Sequence, residues 1–223
     1  VRRILIASAA GFAALAAPAA ALGPLPFGPS LAAVGWQSLT FRGRPPAEFL
    51  PAGPDTLAIR SDAGVSVIWK ALSPDFASGS AASWRWRVDA GVPPTDLSDR
   101  TADDRSIALY FLFGNDASVV ENPPTSLRGA VARGRALIYV WGGEEARGSV
   151  VPAPAMFGRG QIVVSRPADS PTGAWLSEAV DLRADFRRVF GREPGPLVGV
   201  GVSSDSDNTG TRTEAVLADL EIR

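Results

Sequence analysis

The sequence predicts an all-β fold, an antiparallel sandwich or barrel with one short helix, and three observations lead there. From Val34 onward, about ten short apolar or alternating runs recur between clusters of Pro, Gly, Asp and Ser, the spacing of an all-β domain. Only one stretch, residues 181–191, carries apolar residues at helical spacing. The chain of 223 residues suits a single all-β domain of generous size.

The amino terminus reads separately. In "VRRILIASAAGFAALAAPAAALGP", Arg2 and Arg3 precede an apolar run from Ile4 to Ala17, then Pro18 and Ala19-Ala20-Ala21. A positive start, a short apolar stretch and a small-residue site form a signal peptide over 1–21. The run is shorter than the roughly 20 residues a membrane-spanning helix needs. The mature protein is expected in the periplasm or secreted beyond it. Residues 22–33, with "LGPLPFGPS", read as a Pro/Gly-rich linker, and 34–223 as the single β domain.

Within that domain the strand candidates run in order. They are "GWQSLTF", "TLAIRS", "VSVIWKA", "SWRWRVD", "SIALYFLF", "RALIYVW", "QIVVSR", "GAWLSEAVDL", "LVGVGVS" and "AVLADLEIR". The helix is "DLRADFRRVFG". Asp181 is its N-cap, Leu182, Phe186, Val189 and Phe190 share one face, and Gly191 is the stop. Two long polar, Pro-containing loops over 90–105 and 116–133 are of the kind that border sites.

Composition narrows the chemistry. The chain has no cysteine and no histidine, which excludes disulfides, thiolate nucleophiles, His/Cys zinc sites and every histidine-dependent triad. Catalysis would fall to carboxylates, Tyr, Ser/Thr, Arg or the single lysine, Lys70. A formal net charge of −1 with no basic run gives no footprint for nucleic acid.

Three stretches hold candidate site residues. In "SWRWRVDAG", alternation sends Trp84, Trp86 and Val88 to one face and Arg85, Arg87 and Asp89 to the other. The tryptophans read as core. Arg85 and Arg87 then either line a ligand groove as donors to sugar hydroxyls or carboxylates, or pair with Asp on a solvated face. In "RALIYVWGGEE", Leu137, Tyr139 and Trp141 share one face, while small and β-branched Ala136, Ile138 and Val140 look like the core face. Tyr139 and Trp141 are therefore candidate ligand contacts, Trp141 at a strand end where a ring can stack on a sugar. Glu144 and Glu145 are adjacent and point oppositely, so they do not form an acid/base pair.

The third stretch, "SSDSDNTGTRTEA", sets Asp205, Asp207, Asn208, Thr209 and Gly210 within six positions. It resembles the front half of an EF-hand loop, but Thr209 and Val216 stand at positions five and twelve and no helix flanks it. Looser Asp-rich calcium loops join strands in β-sandwiches, with a carboxylate added from a neighbouring strand. Asp103 and Asp104 are placed to supply it, so Asp104, Asp205, Asp207 and Asn208 form the candidate metal set and Ca²⁺ the cofactor. The alternatives are a polar turn that caps its own backbone and pairing with arginine, Arg105 or Arg212.

Several of these stretches together resemble a bacterial exported family, domain-of-unknown-function family 3047. They are "GWQSLTF" followed by "RPPAEF", then "WRWRV", the acidic pair before "LYFLFG", "LIYVWG", "DLRADFRRVFG" and "GVGVSSDSDNTG". The resemblance covers 34–223 and implies a jelly-roll sandwich like those of galactose-binding and carbohydrate-binding modules. It implies no catalytic residue. The leading expectation is non-catalytic binding of a glycan or related polar ligand. The second is a lyase or hydrolase that uses carboxylates and Tyr, and the third a structural envelope protein that binds another protein.

Overall fold

The computed structural model describes residues 22–223, so the signal-peptide reading of 1–21 lies outside the described residues. The first strands are β1 (Gly23–Pro24), β2 (Gln37–Thr40), β3 (Glu48–Pro51), β4 (Thr56–Asp62), β5 (Val65–Ala71), β6 (Ala81–Ala90) and β7 (Arg105–Gly114). Two short helices follow, α1 (Ser118–Glu121) and α2 (Leu127–Ala132), then β8 (Gly134–Gly142), β9 (Val150–Pro152) and β10 (Gly160–Arg166). The chain closes with β11 (Leu176–Asp181), α3 (Leu182–Phe190), β12 (Leu197–Asp205) and β13 (Arg212–Ile222).

One sheet has the order β11-β6-β13-β4-β3 with β1 on β13, and the other β2-β5-β12-β7-β8-β10-β9. The pairs β4–β13, β5–β12, β6–β11 and β7–β8 fall alternately in the two sheets. That is a long antiparallel hairpin rolled into a jelly roll. Among the described residues one parallel pair, β8 with β10, departs from the antiparallel rule, with β9 as a short antiparallel edge.

Aromatic rings fill the space between the sheets. Trp84 lies 5.5 Å from Tyr139 and 6.1 Å from Phe111, and Trp86 meets Trp141 edge-on at 5.8 Å. A second apolar layer covers the outer face of the seven-stranded sheet. There Ala108, Tyr110, Leu112, Ile138 and Val140 pack with Leu97 and with Val119, Leu127 and Ala130 of α1 and α2. With both faces covered, every residue of β7 is buried, and its sequence is correspondingly an almost unbroken apolar run. The six-stranded sheet differs. Its outward residues are half-buried or exposed along β3, β4, β6 and β11.

Helix α3 forms where its caps predict. The Asp181 carboxylate accepts the Ala184 N–H at 2.8 Å, and Gly191, at φ 64°, donates its N–H to the Arg187 carbonyl. Leu182 and Phe186 anchor it to the core, Phe186 at 4.9 Å from Phe113.

Residues 22–33 need a correction. Instead of acting as a linker, this segment is built into the domain: β1 pairs with β13, and Leu25 donates its N–H to the Leu220 carbonyl. Leu25 and Phe27 are fully buried, and Phe27 stacks on Trp36 at 5.2 Å. Phe27→Ala should therefore cost about 3 kcal/mol or more of stability in a denaturant titration, as deletion of a core ring does. An unchanged midpoint would return the segment to a linker.

Candidate functional site

Strand β6 builds the first candidate site by alternation. Trp84, Trp86 and Val88 are in the core, so Arg85, Arg87 and Asp89 project from the outer face of the six-stranded sheet. Beside them stands Trp175, 38 % exposed, its ring centroid 5.1 Å from the Arg85 guanidinium and 5.3 Å from that of Arg87. Leu176 pairs with Trp86, which sets Trp175 opposite Arg87. Of the six tryptophans in the chain, the other five are buried.

Each arginine holds a carboxylate. The Nε of Arg85 donates to Asp219 Oδ2 at 2.5 Å, and Nη2 of Arg87 donates to Asp89 Oδ2 at 2.9 Å. Asp219 reaches this face through a β-bulge. The register of β13 against β6 shifts between Ala218 and Glu221, and Asp219 takes a left-handed φ of 53°. A bulge of this kind re-aims one side chain while Leu217 and Leu220 both stay in the core.

The second site lies at the end of the seven-stranded sheet, where the β12–β13 loop meets the start of β7. Carboxylate oxygens of Asp104, Asp205 and Asp207 lie within 4.8 Å of one another. The fully buried Asp104 ties the loop down. Its Oδ2 accepts the Thr209 N–H and hydroxyl, both at 2.7 Å, and its Oδ1 the Asn208 N–H at 3.2 Å. Two arginines approach the other acids. Arg44 Nε is 3.3 Å from Asp207, and Arg105 Nη1 is 3.5 Å from Asp205 and 3.2 Å from Asp103. Arg105 also donates to the Tyr110 hydroxyl, which bonds to Ser203.

Asp205 Oδ1 is buried without a partner. Burial pushes the Asp205 carboxyl up to about 7, against the pull of Arg105 and with help from Asp104, Asp207 and Asp103. Burial likewise raises Asp207, opposed by Arg44. Asp104, Asp205 and Asp207 could hold a cation, but both oxygens of Asp104 are already engaged by the loop.

The expected ligand contacts thus divide. Arg85 and Arg87 face solvent as expected. Tyr139 and Trp141 do not: both are buried between the sheets, the Tyr139 hydroxyl donating to Asp185 at 2.7 Å. The reading of β8 inverted its faces because both are apolar, and the small residues Ala136, Ile138 and Val140 pack under α1 and α2 instead. The acids meet as expected, while Asn208 contributes its backbone N–H and leaves its side chain exposed.

Sequence reasoning missed Trp175 and Asp219, and both carried a signal. In "AWLSEAV", Leu176 and Val180 take the core side, which leaves Trp175 with Ser177 and Ala179 on the open one. In "LADLEI", two residues separate Leu217 from Leu220 where alternation allows one, which marks the bulge.

Comparison with solved structures finds low-identity likenesses. The xyloglucanase domain of NopAA, a type three effector from Sinorhizobium fredii determined with cellobiose, is 12 % identical, with a TM-score of 0.45 over 84 % of this chain and 90 % of that one. A family 11 carbohydrate-binding module from Clostridium thermocellum, determined with a mixed-linked β-1,3-1,4 tetrasaccharide, is 8 % identical. Its TM-score is 0.41 over 84 % of this chain and 88 % of the module. No curated protein matches the chain. The family model for proteins of unknown function DUF3047 matches residues 34–221, nearly all of the β domain, and the chain belongs to that family.

Proposed function

We propose that this protein is a non-catalytic glycan-binding domain and that the outer face of its six-stranded sheet is the binding surface. The observation that carries the reading is Trp175, partly open to solvent between Arg85 and Arg87. An indole offers an apolar plane to sugar C–H groups, and guanidiniums offer several N–H donors to hydroxyls. Export to the periplasm or beyond, proposed from the amino-terminal sequence, would bring the face to envelope or extracellular polysaccharide. A glycosidase reading would need carboxylates facing across a cleft. The three that meet here are buried or half-buried at a strand end, and Asp104 is spent on holding a loop.

For the carboxylate cluster we propose balance by arginine and by protonation, with Ca²⁺ as the competing reading. Arg44 and Arg105 support it, as does the engaged state of Asp104. The cluster then serves to fasten the β12–β13 loop to β7.

Two experiments test these readings. On a glycan array, the protein should bind at least one glycan and Trp175→Ala should lose about tenfold in affinity. The same ligand should protect the wild type from acrylamide quenching, since Trp175 is the tryptophan a solute reaches. Binding that survives Trp175→Ala, or no binding at all, would sink the proposal. For the cluster, a carboxyl raised in the fold is bound to its proton more tightly than in the unfolded chain. Its contribution is full below the unfolded value near 3.8 and is lost as pH rises through about 7. Asp205→Asn should therefore be more stable than wild type above pH 7, by about 1–4 kcal/mol, and lose that advantage below about pH 4. If Ca²⁺ balances the cluster, EDTA would instead lower the wild-type melting temperature and Asp205→Asn would be the less stable protein.

A further inference from the structure

The open face carries a line of residues in register that says what shape of ligand it fits. Leu50 on β3 is opposite Ala58 on β4, Ala58 is opposite Val216 on β13, and Val216 is opposite Arg87 on β6, with Trp175 beyond. All of these point outward, because their chain neighbours Phe49, Leu57, Ile59, Ala215, Leu217, Trp86 and Leu176 belong to or pack on the core. The line is low in the middle, at Ala58 and Val216, and ends in two exposed large side chains, Leu50 at 45 % and Trp175 at 38 %. Five strands at about 4.8 Å spacing make it about 19 Å long.

The two arginines beside Trp175 are matched in place. Arg85 is held by Asp219 and Arg87 by Asp89, and Arg60 stands opposite both Glu48 and Glu214. A carboxylated sugar would have to displace Asp219 or Asp89 to reach the guanidinium of Arg85 or Arg87. A hydroxyl need not, since it accepts from the arginine and donates to the carboxylate at once. The left-handed bulge at Asp219 is what brings its carboxylate to Arg85.

Resting on the glycan-binding reading, we infer that the ligand is a neutral, linear polysaccharide chain lying across the strands, from Leu50 to Trp175. Its sugar faces rest on Leu50, Ala58, Val216 and Trp175, and its hydroxyls bridge the Arg87–Asp89 pair on the line and the Arg85–Asp219 pair beside it.

The test uses the full chain in native affinity gels. Soluble galactomannan and hydroxyethyl cellulose serve as neutral polymers, polygalacturonate and alginate as acidic ones, each at low and high salt. The inference expects retention by a neutral polymer that salt leaves unchanged, because no net charge is paired. It also expects retention to weaken by about tenfold in Leu50→Ser as well as in Trp175→Ala, each of which should melt with the wild type. Retention by acidic polymers alone, lost at high salt, would overturn the neutral assignment and leave glycan binding standing. Neutral binding that needs Trp175 and ignores Leu50→Ser would overturn the course across the strands. Failure of every polymer to retard the protein would overturn the glycan reading itself.

Discussion

Trp84 and Trp86, two residues apart on β6, hold the sandwich in the one register that exposes Arg85 and Arg87. Their rings meet each other, Phe111, Tyr139 and Trp141 across the gap between the sheets. A slip of β6 by one residue would swap these rings for two guanidiniums. Burying an unpaired charge costs several kcal/mol, and the exposed rings would lose their contacts as well. The open face therefore follows from the core. Whatever binds at Arg85, Arg87 and Trp175 meets side chains whose direction is fixed by burial behind them.

The two sheets are used differently. The seven-stranded sheet is covered on both faces, by the aromatic core and by α1, α2 and the loop that carries Leu97. Its central strands β7, β8 and β12 are buried almost throughout and form the base of the domain. The six-stranded sheet has one covered face and one open face, and of the two register shifts between β13 and β6 the second turns Asp219 onto the open one. The carboxylate loop lies at the end of the base, where Asp104 fastens the β12–β13 turn with three hydrogen bonds. Its buried acids and two arginines fit a fastening that ionisation loosens.

Much of this was legible in the sequence, for reasons the structure makes plain. All ten predicted strands form, because alternation or a dense apolar run marks each of them, and Asp181 and Gly191 bound the helix they predict. What alternation could not resolve was a strand apolar on both sides. On β8 it named Tyr139 and Trp141 as surface contacts when the larger residues are the inner ones. Short edges such as β3 and β9, each with a proline, gave too few residues for a period. The Pro/Gly stretch hid Leu25 and Phe27, which are spaced like strand residues but sit among turn formers. The acid loop was found because its residues are adjacent in sequence, whereas Arg44, which pairs with Asp207, comes from far away in the chain.

If the open face takes the ligand, the six tryptophan indoles make that visible. In a ¹⁵N–¹H correlation spectrum, a neutral oligosaccharide should shift the Trp175 indole signal together with outward residues of β3, β4, β6 and β13. The five buried indoles should hold their positions. Saturable binding that leaves Trp175 unmoved and shifts residues around Asp104 and Asp205 would contradict it.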